Sequence, residues 1–432
     1  MARVRPFAAY RYAGAERDIS TLTAPPYDVI SPDQRAQLLA GNPHNVVALE
    51  LPEGPLDPAV PGNRYENGAA AWNAWREQGV LVQDAAPAVY VLEQLTQHDD
   101  RAVRRRAFIV EVGLEPFSAG VVLPHERTLP KALGDRFELI RATRANLSQV
   151  LGLFDDPNGA TDALFAAVAV GEPIATAADA DKVESRLWAT TDPTLVSAIS
   201  DALADKRIFI ADGHHRYTTA LAFRDERRAA AAAAGEQPVD PPYDFVMMAL
   251  VNMDDPELVV MPTHRVADAE DRFDAAEFWR AVAEHFDVAE LPAGHAAGAL
   301  DGFDRPAFLV KTRADDRPRL VSLRADVDVD AAIPLERSEA WKHLDVAVLQ
   351  ELILDPILGI HQDRPETLDR LGFVKDAHGA LAQTAEHDVV FVLRPTRMDQ
   401  LRAVALAGET MPQKSTYFFP KLLSGLVFRS AE

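Results

Sequence analysis

Asp212-Gly213-His214-His215-Arg216 places an acid, a glycine, two imidazoles and a guanidinium in five consecutive positions. These side chains add little to packing and much to chemistry. The apolar run Ile208-Phe209-Ile210-Ala211 before them predicts a buried strand. The pattern from Thr218 through Phe223 after them predicts a helix. A strand that breaks at a glycine and feeds a helix offers backbone N–H groups and the positive end of a helix dipole, a natural seat for phosphate. Gly213 would let the backbone approach the anion, and Arg216 would supply a bidentate fork, with Tyr217 beside it. His214 and His215 can donate or shuttle a proton. Asp212 could hold Mg²⁺ or accept a proton from a hydroxyl. The competing reading is a turn capped by Asp212 with solvated histidines beyond it.

The elements that must position this turn belong to a chain of 432 residues, too long for one core, so two or three domains are expected. With 48% hydrophobic and 25% charged residues, the composition is that of an ordinary globular protein. No apolar run approaches the ~20 residues needed to span a bilayer, and the N-terminal Met1-Ala2-Arg3-Val4-Arg5-Pro6 lacks the apolar core of a signal peptide. The expected setting is the cytoplasm, with no membrane partner. Zero cysteines exclude thiolate metal sites and a cysteine nucleophile. A net charge of −22 disfavours bulk DNA binding, which draws its affinity from Lys and Arg on phosphates. The basic run Arg101–Arg106 reads best as a solvated hairpin or strand edge.

Taken in order, Pro25-Pro26 stiffens the backbone ahead of Tyr27-Asp28, which are either site residues or a rigid turn. Ser31-Pro32 starts a helix that ends at Gly41. A strand is expected over Val46–Leu51 and a helix over Tyr65–Gln78, its Trp72 and Trp75 facing a core. Strands follow at Ala88–Gln94, Arg106–Val112 and Val150–Phe154, with a helix over Arg136–Asn146 between the last two. An alanine-rich helix near Ala160–Val170 leads through an extended segment to the central turn. Ala229–Ala234 reads as a tail and linker, and Asp244–Val251 as the most apolar strand. Residues 266–395 alternate amphipathic helices with strands and read as a separate α/β lobe. The domain expectation is therefore a phosphate-binding core over 1–265, that lobe, and a segment 396–432 returning to the core site.

Other chemistry-bearing residues lie outside the turn. His125-Glu126-Arg127 occupies a loop and could add a charged wall to the site, or form a salt bridge there. His264-Arg265 follows a predicted strand, at the end of the sheet where open α/β folds bind ligands. Gly408 to Ser415 nearly spells a phosphate-binding Walker loop. Gln413 replaces its second glycine, Pro412 removes an N–H, and a helix pattern precedes it, so the assignment fails. Lys414, Ser415 and Thr416 can still serve a phosphate, or pack a buried terminus. A metal hydrolase built on His125, His214, His215 and His264 is the alternative enzyme class, and adjacent histidines pointing to different sides speak against it.

The turn resembles the D-G-H-H-R phosphate-binding turn of the ParB/sulfiredoxin-like superfamily, which includes CTP-binding partition proteins, sulfiredoxins and free-serine kinases. The whole chain resembles the DUF1015 family, on Pro26–Ser31, Asn42-Pro43, His125–Thr128, Ala211–Tyr217, Pro262–Arg265 and Met411–Phe418. The resemblance implies a mixed α/β fold, a ParB/sulfiredoxin-like core elaborated with a second lobe. Sulfiredoxin chemistry is closed for want of cysteine. The serine-kinase likeness implies that Asp212 handles the hydroxyl or a metal and that Gly213 to Arg216 hold phosphate. The expected activity is phosphoryl transfer from ATP or ADP, with Mg²⁺, to a small hydroxylated metabolite, serine being the best guess. A ParB-like nucleotide switch without turnover is the alternative, and a homo-oligomer is compatible with either.

Overall fold

Alternating and continuous apolar runs form the two large sheets of the described residues, one in each of two compact units. A computed structural model describes all residues except 1, 15–16, 99–100, 127–129 and 292–297. The first unit comprises Met1–Pro124, Thr128–Val259 and Pro420–Glu432, and the second His125–Arg127 and Val260–Phe419. The fold is mixed α/β. Among the described residues, no helix is long and apolar enough to cross a membrane.

The first unit is built on a nine-stranded mixed sheet. From one edge its strands run Val122–Leu123, Ile208–Asp212, Val150–Phe154, Phe245–Asn252, Arg101–Gly113, Val89–His98, Glu184–Thr190 and Ala175–Ala178, with Val4–Arg5 beside Arg101–Gly113. Ile208–Asp212 is parallel to its edge neighbour and antiparallel to Val150–Phe154. Every residue of Phe245–Val251 is buried, as a strand covered on both faces requires. The helix His214–Ala233 buries His214, Tyr217, Ala220 and Phe223, one stripe at helical spacing. A second cluster joins Leu49, Tyr65, Trp72, Trp75 and Phe428, so both tryptophans are core residues. The basic run lies in a hairpin strand, with Arg104 on Glu257 and Arg106 between Asp162 and Asp255.

Three local expectations are corrected. Val47–Glu50 is a helical turn rather than a strand, because the Asn45 side chain accepts from the Val47 N–H and starts a turn. Ala229–Ala233 continues the preceding helix, since nothing in a run of alanines stops one. The segment expected to be extended before the central strand contains the helix Pro193–Ala204, capped by the Asp192 carboxylate on Thr194 and Leu195.

In the second unit, six antiparallel strands run in the order Phe286–Glu290, Arg319–Leu323, Ala307–Thr312, Val389–Val392, His264–Ala267 and Leu371–Val374. The C-terminal residues Pro420–Glu432 belong to the first unit. There Arg429–Ser430 pairs with Ala145–Asn146, and Ser424 and Phe428 bridge to Ala24 and Tyr10.

Candidate functional site

The central strand ends in a β-bulge. Its register against Val150–Phe154 slips between Ile210 and Asp212, leaving Ala211 as the extra residue. Bulges re-aim side chains at the ends of sheets, and here Asp212 is the residue that follows. Gly213 comes next with φ +90°, a left-handed conformation that a side chain would strain. Beyond it, His214 opens a 20-residue helix whose dipole faces the turn.

Gly213 is needed for a second reason. A Cβ there would lie 2.9 Å from Arg216 Nε and 3.0 Å from Cζ and Nη2, so the guanidinium folds back over the bare Cα. Gly213→Ala should therefore displace Arg216 and force a strained φ. We expect a loss of about 1–2 kcal/mol of stability, measured by thermal melting, and a weaker titration with inorganic phosphate.

Two cations converge on Asp212. Lys421 Nζ donates to its Oδ2 at 2.7 Å, and Arg216 Nη2 lies 3.7 Å from its Oδ1. Burial alone would push this carboxyl up. The Lys421 ammonium and the Arg216 guanidinium, with help from His214, overcome that and hold it well below the usual carboxylate range. Asp212 is thus an anion at neutral pH, and the three side chains together carry a surplus positive charge. Their side chains are only 14–19% exposed, so the charge is screened little. Arg216 is further fixed by Nη1, which donates to the Ser148 hydroxyl at 3.2 Å and to the Gln149 carbonyl.

A cavity of about 40 Å³ lies beside the turn, lined by Glu50, Arg136, Asn146, Ser148, Arg216 and Thr219 among others. Arg136 Nη1 donates to the Glu50 carbonyl at 2.9 Å, and its Nε and Nη2 hold Asp135. The Arg136 guanidinium also lies 4.2 Å above the Tyr27 ring. Burial pushes the Tyr27 phenol up to about 12 against the opposing pull of Arg136 and Arg216, so it stays protonated. Asp28, the next residue, is exposed.

Tyr27, Asp28 and the residues from Asp212 to Tyr217 thus belong to the first unit. Tyr217 is a correction: it faces the core, fully buried, and its hydroxyl donates to the Glu115 carbonyl and accepts from the Glu115 N–H. It packs the helix against the sheet and offers no group to a phosphate. Sequence reasoning missed Lys421, Arg136, Glu50 and Ser148. Lys421 falls in a segment whose mixed polar, aromatic and basic character was visible, but the lysine singled out there was Lys414.

His125, Glu126, His264, Arg265, Lys414, Ser415 and Thr416 belong to the second unit, and Arg127 lies outside the described residues. His125 Nε2 meets the Thr416 hydroxyl at 2.8 Å, and Glu126 accepts from the Lys414 N–H at 3.1 Å. His264 Nδ1 accepts from the Leu393 N–H, and burial with the Arg265 charge pushes the imidazole down to about 4, so it is neutral. Arg265 donates to the carbonyls of Thr263, Gln413 and Lys414, and burial pushes it down to about 10. Ser415 donates to the Pro412 carbonyl. Arg265 Nη2 and the Ser415 hydroxyl are thus engaged with carbonyls of the 412–415 loop. Among the described residues no group of three or more His, Asp or Glu side chains converges as a metal-ligand set.

The sequence matches the family model described as "Protein of unknown function (DUF1015)" over residues 4–347. No curated protein matches it. Among solved structures, a conserved hypothetical protein from Pyrococcus furiosus is 13% identical with a TM-score of 0.34, the likeness covering 73% of this chain and 92% of that one. A free serine kinase variant in complex with ADP is 11% identical, TM-score 0.35, over 72% of this chain and 87% of that one. C-terminally truncated SbnI from Staphylococcus aureus is 13% identical, TM-score 0.34, over 73% and 85%.

Proposed function

We propose that this chain, which belongs to the DUF1015 family, binds the phosphates of a nucleotide on the turn Asp212–Arg216 and transfers a phosphoryl group to a small hydroxylated metabolite, of which free serine is the first to test. The observation that carries this reading is the pair of cations, Arg216 and Lys421, brought onto one partly buried carboxylate at the N-terminal end of a long helix. A partly buried cluster with surplus positive charge, beside backbone that only glycine permits, attracts an anion. Phosphoryl transfer needs little covalent help from the protein. It needs fixed positive charge where negative charge gathers, and an aligned acceptor.

In this reading Arg216 and Lys421 neutralise the transferred group and the leaving nucleotide, and Asp212 holds both cations in register. Two ion pairs make Asp212 a weak base, which moves it from proton acceptor to positioning residue. A Mg²⁺ ion arriving with the nucleotide would be held by its phosphates and by the Asp212 carboxylate. His214 and His215, at the helix start, are the nearest proton donors in sequence to the same charge.

Arg216→Ala should remove the stabilisation that ATP or ADP gives in a thermal-shift titration while leaving the unliganded protein folded. A variant that still gains the wild-type shift would overturn the assignment. A second reading, a nucleotide switch without turnover, is favoured by how fully Asp212 is committed to Lys421 and Arg216. Nucleotide-dependent shifts with no phosphorylated product across a panel of hydroxylated acceptors would select it.

A further inference from the structure

The small cavity beside the turn contains a buried charge that the protein leaves incompletely satisfied. Glu50 is 4% exposed and lines the cavity, yet its Oε1 has no hydrogen-bond partner. Its other oxygen lies 3.4 Å from Arg136 Nη1, a long contact, and that nitrogen is better placed on the Glu50 carbonyl. On the same cavity wall, Arg216 keeps a buried Nε–H without an acceptor. An acceptor and a donor, both orphaned and both on residues of one cavity, are costly to leave so. The Glu50 acceptor has no part in the phosphate chemistry assigned to the turn.

We propose that this cavity is a subsite for the hydrogen-bond-donating end of a small polar ligand, a hydroxyl or a primary ammonium that donates to Glu50 Oε1. About 40 Å³ admits only a few non-hydrogen atoms. The cavity therefore takes one end of a ligand and not the whole. The lining favours such an end: one carboxylate demands a proton donor, and two guanidinium groups favour an electron-rich atom next to it. Because Arg216 belongs to both the turn and the cavity, a ligand seated here lies beside the phosphate-binding residues. Calling it the acceptor end of the substrate rests on the functional reading above, whereas the subsite itself does not.

The test is calorimetric titration of the whole protein with three probes, without and with ATP. L-serine carries both groups, glycine only the ammonium, and lactate only the hydroxyl. We expect serine to bind, with whichever of glycine and lactate retains affinity identifying the group on Glu50. Glu50→Gln keeps the shape and removes the charge, and it should weaken the surviving probe at least about tenfold, the loss of one charge-assisted hydrogen bond. Glu50→Leu should abolish binding, with thermal melting to confirm folding; if that variant does not fold, the glutamine variant still decides. A wild-type protein that binds none of the three probes, so that the cavity holds water only, would overturn the subsite. So would affinities unchanged in Glu50→Gln. Probe binding that depends on Glu50 without any nucleotide binding would keep the subsite and sink the reading of the turn. Nucleotide binding without probe binding does the reverse.

Discussion

If the turn transfers phosphoryl groups as proposed, Lys421→Met should lower that transfer by about 10²- to 10³-fold, the usual loss when one fixed donor is taken from a developing anion. It also weakens ATP and ADP in equilibrium titration. Lys421 Nζ contacts Asp212 at 2.7 Å, closer than Arg216 at 3.7 Å, and with its removal the three-group cluster loses its surplus charge. Its backbone is anchored independently: Gln94 Nε2 donates to the Lys421 carbonyl and Gln149 Nε2 to the Leu423 carbonyl, each at 3.0 Å. The substitution should therefore remove the charge and leave the segment in place. A stability signature accompanies it. Against its own burial, Asp212 is held low by Lys421 and Arg216, so its folded value lies below the unfolded one. A depressed carboxylate contributes stability that is present above about pH 4 and lost as pH falls through its folded value. In Lys421→Met that contribution should shrink at neutral pH, so the variant's deficit narrows on acidification below about pH 4. Lys421→Arg should restore binding in part, since the charge returns with a different reach. A Lys421→Met protein with wild-type affinity for both nucleotides would show that the anion, if one binds, sits elsewhere.

Why Lys421 escaped sequence reasoning while Asp212–Arg216 did not is a matter of range. The turn is a local object. Ile208–Ala211 is an apolar run of strand length, Asp-Gly breaks it, and the helical stripe starts at once, so strand, turn and helix can be read within sixteen residues. Lys421 meets Asp212 across 209 residues of chain, and nothing near either residue records the pairing. Lys414 and Lys421 look equally suitable in the final segment; only tertiary structure shows that one closes a loop of the second unit and the other belongs to the first. Glu50 was hidden for a different reason. Val46–Leu51 is a short apolar run, for which periodicity does not separate a buried strand from a buried helical turn, and a glutamate in a strand edge invites no question. The Asn45 side chain that starts the turn was the available signal. The helix Pro193–Ala204 announced itself by an Asp-Pro pair of capping type that was passed over.

Arg429→Met should be the most destabilising single substitution considered for the first unit, at about 3–5 kcal/mol, the cost of breaking a buried ion pair from one side. Arg429 is 1% exposed, three residues from the chain end, and each of its three guanidinium nitrogens donates. Nε donates to Glu111, Nη1 to Asn146 Oδ1 at 3.1 Å and to the Phe245 carbonyl at 3.0 Å, and Nη2 to the Pro242 carbonyl. Methionine fills much of the volume and satisfies none of these acceptors. Glu111, itself 6% exposed, would keep only Arg5, whose side chain is one-third exposed and so better screened. Typical domains have about 5–15 kcal/mol in all, so this loss should be visible as a drop in melting temperature of roughly 6–20 °C for a unit of this size. The double variant Arg429→Met with Glu111→Gln separates the cause. If the penalty comes from an abandoned buried charge, neutralising Glu111 should recover part of it, and the double variant should melt above the sum of the singles. If it comes from the orphaned carbonyls of Pro242 and Phe245, the second substitution should recover nothing. Either way the loss is one of stability and not of the site: Gln94 and Gln149 still hold the Lys421 and Leu423 carbonyls, so the Lys421 contact to Asp212 should persist at temperatures well below the melt.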